Sequence, residues 1–166
     1  MYCHPQEAQL VIKNVPKSLV APRRVVSLDQ QGRASVATYA AWNQNFQLAG
    51  LSWIFSSQEL SFPQRHSAVC EYVSSPLMAE CLAIRLALIS ALENGIQFLS
   101  LKTDSLVLAK ALSPKSHLVQ VHGVISDVFI CISKFKSFSC NFIPRTANVE
   151  ADALAKASLS NFIVNL

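Results

Sequence analysis

The chain has 166 residues, 51% of them hydrophobic and 14% charged. That is enough for one domain with an ordinary core and too apolar for disorder. No apolar run reaches the roughly 18 residues of a membrane span, and the stretch after Pro76 is interrupted by Glu80 and Arg85. The formal charge is +4, and residues 1–33 set Lys13, Lys17, Arg23, Arg24 and Arg33 against only Glu7 and Asp29. The basic surplus is therefore mostly N-terminal, compatible with nucleic acid without requiring it.

In chain order, residues 1–33 read as a poorly structured leader or linker. Pro5, Pro16 and Pro22 break any period, with one short strand expected at Leu10–Ile12. Ala34–Trp42 and Leu48–Phe55 are rich in strand formers and flank the turn Asn43-Gln44-Asn45, which predicts an antiparallel hairpin. Ser67–Val73 is a third strand, reached through the polar loop Ser56–Arg65.

Ser75 followed by Pro76 starts a helix well, with a hydroxyl to cap it and a proline where no N–H is needed. This helix is expected to run to Asn94 and stop at Gly95. Leu77, Cys81, Ile84, Leu88 and Leu92 mark one apolar face. Glu80, Ala83, Ala87 and Ala91 form an adjacent stripe small enough to lie close to a sheet. Ile96–Leu101 is the fourth strand, and Asp104 or Ser105 caps a helix ending near Leu112, before Pro114. Val121, Val124, Ile125, Val128, Phe129 and Ile132 give helical spacing to Val119–Lys134. Phe138–Ile143 is the fifth strand, and Asn148 opens a helix over Val149–Ser158. The order is α/β with three antiparallel strands first.

The five cysteines (Cys3, Cys70, Cys81, Cys131, Cys140) show no Cys-x-x-Cys spacing. Reduced, buried thiols in an intracellular protein, nuclear or cytoplasmic, are the expectation. The N-terminus lacks the basic-then-apolar pattern of a signal peptide.

Three of the ten acids are placed unusually. Glu80 sits early in an oily helix, Asp104 follows a strand, and Asp152 lies near a helix start. Each has an ordinary explanation as a cap or as a charge favoured by a helix dipole. Together, a carboxylate at a strand's C-terminal end with others on neighbouring helices makes an oxygen cluster of the kind that suits Mg²⁺.

Three segments carry a family resemblance: Ser74-Ser75-Pro76-Leu77-Met78-Ala79-Glu80, Lys102-Thr103-Asp104-Ser105, and Pro144-Arg145-Thr146-Ala147-Asn148-Val149-Glu150-Ala151-Asp152-Ala153-Leu154-Ala155-Lys156. In this order they resemble the ribonuclease H-like domain of plants, related to the ribonuclease H part of LINE-type retroelements. The resemblance spans about Ala34 to Ser158, within a domain expected over 34–160. It implies a mixed five-stranded sheet flanked by helices. It also implies an endonuclease acting on the RNA strand of RNA–DNA hybrids with two Mg²⁺ ions, or Mn²⁺ in their place, held by four carboxylates.

Glu80, Asp104 and Asp152 match three of those catalytic, metal-ligating positions. The fourth does not match. The family's Asp-Ala-Ala-Trp segment reads Tyr39-Ala40-Ala41-Trp42 here. A phenol, neutral at pH 7, is a poor Mg²⁺ ligand. Asp29 is an alternative first acid but lies ten positions upstream. The histidine that some members carry before the last aspartate is missing between Ile143 and Glu150, and His117 and His122 are not placed to replace it. Lys102, Lys134, Lys136, Arg145 and Lys156 are scattered cations for a nucleic-acid backbone, and Trp42 and Trp53 are expected in the core. Two readings follow: a ribonuclease H with weakened metal binding and impaired turnover, or a non-catalytic module of the same fold binding nucleic acid or protein. No membrane partner is implied.

Overall fold

The structure, a computed structural model, describes residues 33–57, 64–113 and 123–165, and the backbone of Leu10–Val11. Its strands are β1 (Leu10–Val11), β2 (Ala34–Asn43), β3 (Leu48–Ser56), β4 (Gln64–Cys70), β5 (Phe98–Thr103) and β6 (Ser137–Phe142). Its helices are α1 (Pro76–Glu93), α2 (Leu106–Ala111), α3 (Val124–Ile132) and α4 (Val149–Val164), the last preceded by a 3₁₀ turn at Arg145–Ala147.

The strands form one mixed sheet in the order β1-β4-β3-β2-β5-β6. β2, β3 and β4 pair antiparallel, whereas β5 pairs parallel with both β2 and β6. This is the expected five-stranded mixed sheet. The two-residue β1 adds to its outer edge, Leu10 opposite Cys70 and Val11 opposite Val69. Ile12, Asp29, His117 and His122 lie outside the described residues.

The main core fills one face of the sheet. Val36, Phe55, Leu99 and Leu101 meet Ile84, Ala87, Leu88 and Ala91 of α1 and Ile125, Val128 and Cys131 of α3. Ala79, Ala83, Ala87 and Ala91 are all fully buried, so α1 rests on the sheet through methyl groups. Leu77, expected on the apolar face, is exposed because it stands in the first turn, before the helix reaches the sheet. Trp53 is buried in this core, and Trp42 donates from Nε1 to the Val73 carbonyl at 2.8 Å.

Element ends moved for local reasons. β4 covers Gln64–Cys70 rather than Ser67–Val73, because Tyr72 turns to φ 59° and the Val73 N–H bonds the Gln47 carbonyl instead of a ladder partner. β5 starts at Phe98 rather than Ile96, since the Ile96 N–H is still satisfied by Ala91 at the end of α1. α3 begins at Val124, where Gly123 at φ 80° is the N-cap, and Phe129 faces solvent while Cys131 joins the core. The expected beginning of that helix, 119–122, lies outside the described residues. α4 runs six residues beyond Ser158. Among the described residues no helix is long and apolar enough to cross a membrane.

Candidate active site

The parallel pairing of β2 with β5 sets Thr38 beside Thr103, so Tyr39 and Asp104 emerge at one level of two adjacent strands. Asp104 is left outside the following helix because Ser105, not Asp104, caps it, accepting from the Leu108 N–H. Ser75 caps α1 by accepting from Met78 at 3.1 Å, which brings Glu80 into the second turn facing the same strand end. The 3₁₀ turn after β6 delivers Asn148 and α4, whose first turn carries Asp152.

The three acids feel one another. Burial pushes the Glu80 carboxyl up; a hydrogen bond with the Ser105 side chain opposes this, and the negative charge of Asp104 adds to it. Burial also raises Asp104. Its own backbone hydrogen bond and the Asn148 side chain hold it back, while the charge of Asp152 pushes it further up. Asp104 is thus coupled both to Glu80 and to Asp152.

Protein donors occupy much of this cluster. Asn148, only 2% exposed, uses its side-chain N–H groups on the Thr38 carbonyl at 2.8 Å and on Asp104 Oδ1 at 3.4 Å. Arg145 Nε stands 4.0 Å from Asp104 Oδ2, and Lys156 bonds Asp152 Oδ2 at 2.8 Å. Asp152 Oδ1 and Asn148 Oδ1 are buried without a hydrogen-bond partner.

Tyr39 is 4% exposed and packs with Ala41, Leu48, Ile54, Ala151, Ala155 and Leu159 beneath α4. The Arg145 guanidinium lies 5.1 Å from its ring centroid, a cation–π distance. The position where the resemblance asks for an oxygen ligand holds an aromatic ring packed among apolar side chains and capped by a cation. The free Asp152 Oδ1 is suited to a cation. However, no group of three His, Cys, Asp or Glu among the described residues is arranged to hold a metal ion. As it stands the set offers three carboxylates, two of them engaged by protein donors, and an aromatic ring at the position of the fourth.

Glu80, Asp104 and Asp152 were visible in the sequence as candidate acids. The bracing by Asn148 and the Ser105–Glu80 contact were not. The Asp152–Lys156 pair had a local signal, its i,i+4 spacing on a helix.

Residues 37–158 match the family model described as reverse transcriptase-like. The chain belongs to the reverse transcriptase-like family. Solved structures with the same fold include ribonuclease H1 from the halophilic archaeon Halobacterium salinarum, 22% identical, TM-score 0.65, with 78% of this chain and 99% of that chain covered. The N-terminal ribonuclease H domain of a Mycobacterium tuberculosis protein is 16% identical, TM-score 0.68, covering 79% of this chain and 96% of that one. LC11-RNase H1, whose structure is a complex with an RNA/DNA hybrid, is 16% identical, TM-score 0.66, covering 79% of this chain and 99% of that chain. A comparison with curated proteins returns no match. The family's ribonuclease H fold is thus present over the domain that carries the acids.

Proposed function

We propose that this chain is a ribonuclease H-fold module that binds RNA–DNA hybrid and whose hydrolytic site is impaired. The single observation that carries the reading is Tyr39. It is buried under the Arg145 guanidinium at the strand position where the resemblance requires an aspartate. Glu80, Asp104 and Asp152 are read as the remaining three catalytic carboxylates, with Mg²⁺ or Mn²⁺ bound weakly at most. Loss of one transition-state-stabilising group costs about a hundred- to a thousandfold in rate. The nucleic-acid assignment draws support from the hybrid bound to LC11-RNase H1 and from the exposed Arg145 at the site. Within this reading, residues 34–160 are the functional domain, residues 1–33 a leader or linker, and the origin a plant retroelement.

The test is binding and cleavage of a labelled RNA–DNA hybrid by the wild type and Tyr39→Asp, each with Mg²⁺ and with Mn²⁺. The expected result is hybrid binding by both, no cleavage above background by the wild type, and measurable cleavage by Tyr39→Asp. Efficient wild-type cleavage abolished by Asp104→Asn would sink the impaired reading. Absence of hybrid binding by either protein would favour the second reading, a protein-binding module, to which the internal pairing of Asp104 and Asp152 with Asn148, Arg145 and Lys156 also lends weight.

A further inference from the structure

α4 packs on β2, β3 and β4, on the sheet face opposite the main core. The half of that face belonging to β5 and β6 carries Ser100, Lys102, Ser139 and Asn141, all partly or fully exposed. Their neighbours in sequence, Leu99, Leu101, Phe138 and Cys140, point the other way into the core. Period-2 alternation therefore makes this an open sheet surface built of hydroxyls, an amide and a lysine.

Arg33 lies across its lower end. From just before β2 it reaches over β5 to β6, where its guanidinium donates to Ser137 and Ser139. Lys102 stands four residues further along than Phe98, the β5 residue opposite Ser137, a rise of about 13 Å along a strand. Arg145 follows above it, beside Asp104. The three cations thus form a row leading from the carboxylate cluster down the sheet. The acid at its margin, Glu150, is paired with Arg65, and Asp104 is faced by Arg145. A groove between Ser35, Ser56, Lys102 and the start of α4 continues the row.

We propose that this face is a track for a single strand of nucleic acid leaving the carboxylate cluster, with Arg33 and Lys102 contacting alternate phosphates and the serines donating to phosphate or sugar oxygens. The idea rests on the nucleic-acid reading above. Hydroxyl donors and cations spaced along one strand direction suit a single phosphate backbone. Among the described residues the row itself consists of arginine, lysine, serine and asparagine side chains, so contact is to the backbone and independent of sequence.

The experiment compares the affinity of the full chain for a blunt RNA–DNA hybrid and for the same hybrid with an eight-nucleotide single-stranded extension, by fluorescence anisotropy at several salt concentrations. The wild type should bind the extended hybrid at least about fivefold more tightly, with a steeper salt dependence, since each phosphate contact on a single strand adds about 0.7 to the slope. Arg33→Glu/Lys102→Glu should bring the ratio of the two affinities to one. Ser139→Asp, which leaves both cations in place, should lower it as well, with thermal melting showing that each variant is folded. Equal wild-type affinity for blunt and extended hybrids overturns the track while leaving the hybrid reading intact. Failure to bind any hybrid overturns both. Displacement of the extension by polyglutamate as readily as by an oligoribonucleotide of equal length overturns the track in favour of an acidic protein.

Discussion

Tyr39 and the acids around it show how stability and activity compete at single residues. An aspartate in Tyr39's place would stand among Ala41, Ile54, Ala151 and Ala155, where an unpaired charge is costly. The phenyl ring instead buries apolar surface and receives Arg145. Glu80 and Asp104 retain the cost that Tyr39 avoids, because burial and mutual repulsion favour their neutral forms. Their folded-state pKa values lie above the unfolded ones. Their contribution to stability is therefore fully present below the ordinary carboxylate range and is lost as pH rises through the raised values. Glu80→Gln and Asp104→Asn should each raise the melting temperature at pH 7 in the presence of a chelator and make no difference at pH 3. Thermal melts across pH 3–8 check this, and a lower melting temperature for both at pH 7 would contradict it.

Among the elements, α4 seats closely on β3. A Cβ on Gly50 would lie 2.2 Å from the Ala155 carbonyl oxygen and 2.8 Å from Leu159 Cβ. Gly50 is needed for this close approach, not for an unusual backbone angle. Ser52, one pleat further along, donates to the Ala151 carbonyl at 2.6 Å. Because α4 also carries Asp152, its depth on β3 sets how near that acid comes to Asp104. Gly50→Ala should therefore destabilise the fold by about 1–3 kcal/mol, as overpacking does, measured by urea denaturation. α1 meets the opposite face through alanines and tolerates closeness by a different route, a methyl stripe instead of a glycine. That stripe was legible from the spacing of Ala83, Ala87 and Ala91. The role of Gly50 was not, since its clash partners lie more than a hundred residues away.

At the scale of the molecule, the thiols of the described residues belong to the core. Cys70, Cys81 and Cys131 are buried and Cys140 is half-buried, and none of the four is in a disulfide. Burial pushes the Cys81 thiol up to about 12, with Arg85 opposing and Asp127 reinforcing the shift, and burial alone pushes Cys140 to about 11. Both stay protonated, and so unreactive, through pH 9. Alkylation with iodoacetamide at pH 8.5, followed by mass spectrometry, should leave Cys81 and Cys140 unlabelled in the native protein and label both in urea. Rapid native labelling of Cys81 would contradict this packing. The sheet that buries these groups is held by parallel pairing of β2, β5 and β6, contacts between segments far apart in the chain.

The sequence alone determined the elements, their order and the three candidate acids. Caps, glycine stops and hydrophobic periods are local signals, and an acid in an apolar run is conspicuous. Ser75-Pro76 and Gly95 bound α1 as expected. Tertiary structure alone decided that Asp104 is coupled to both Glu80 and Asp152, that Asn148 braces it against Thr38, and that Tyr39 is sealed under Arg145. Those relations depend on strand register and on the depth of α4, which arise from pairing between distant segments and leave no local trace in the chain.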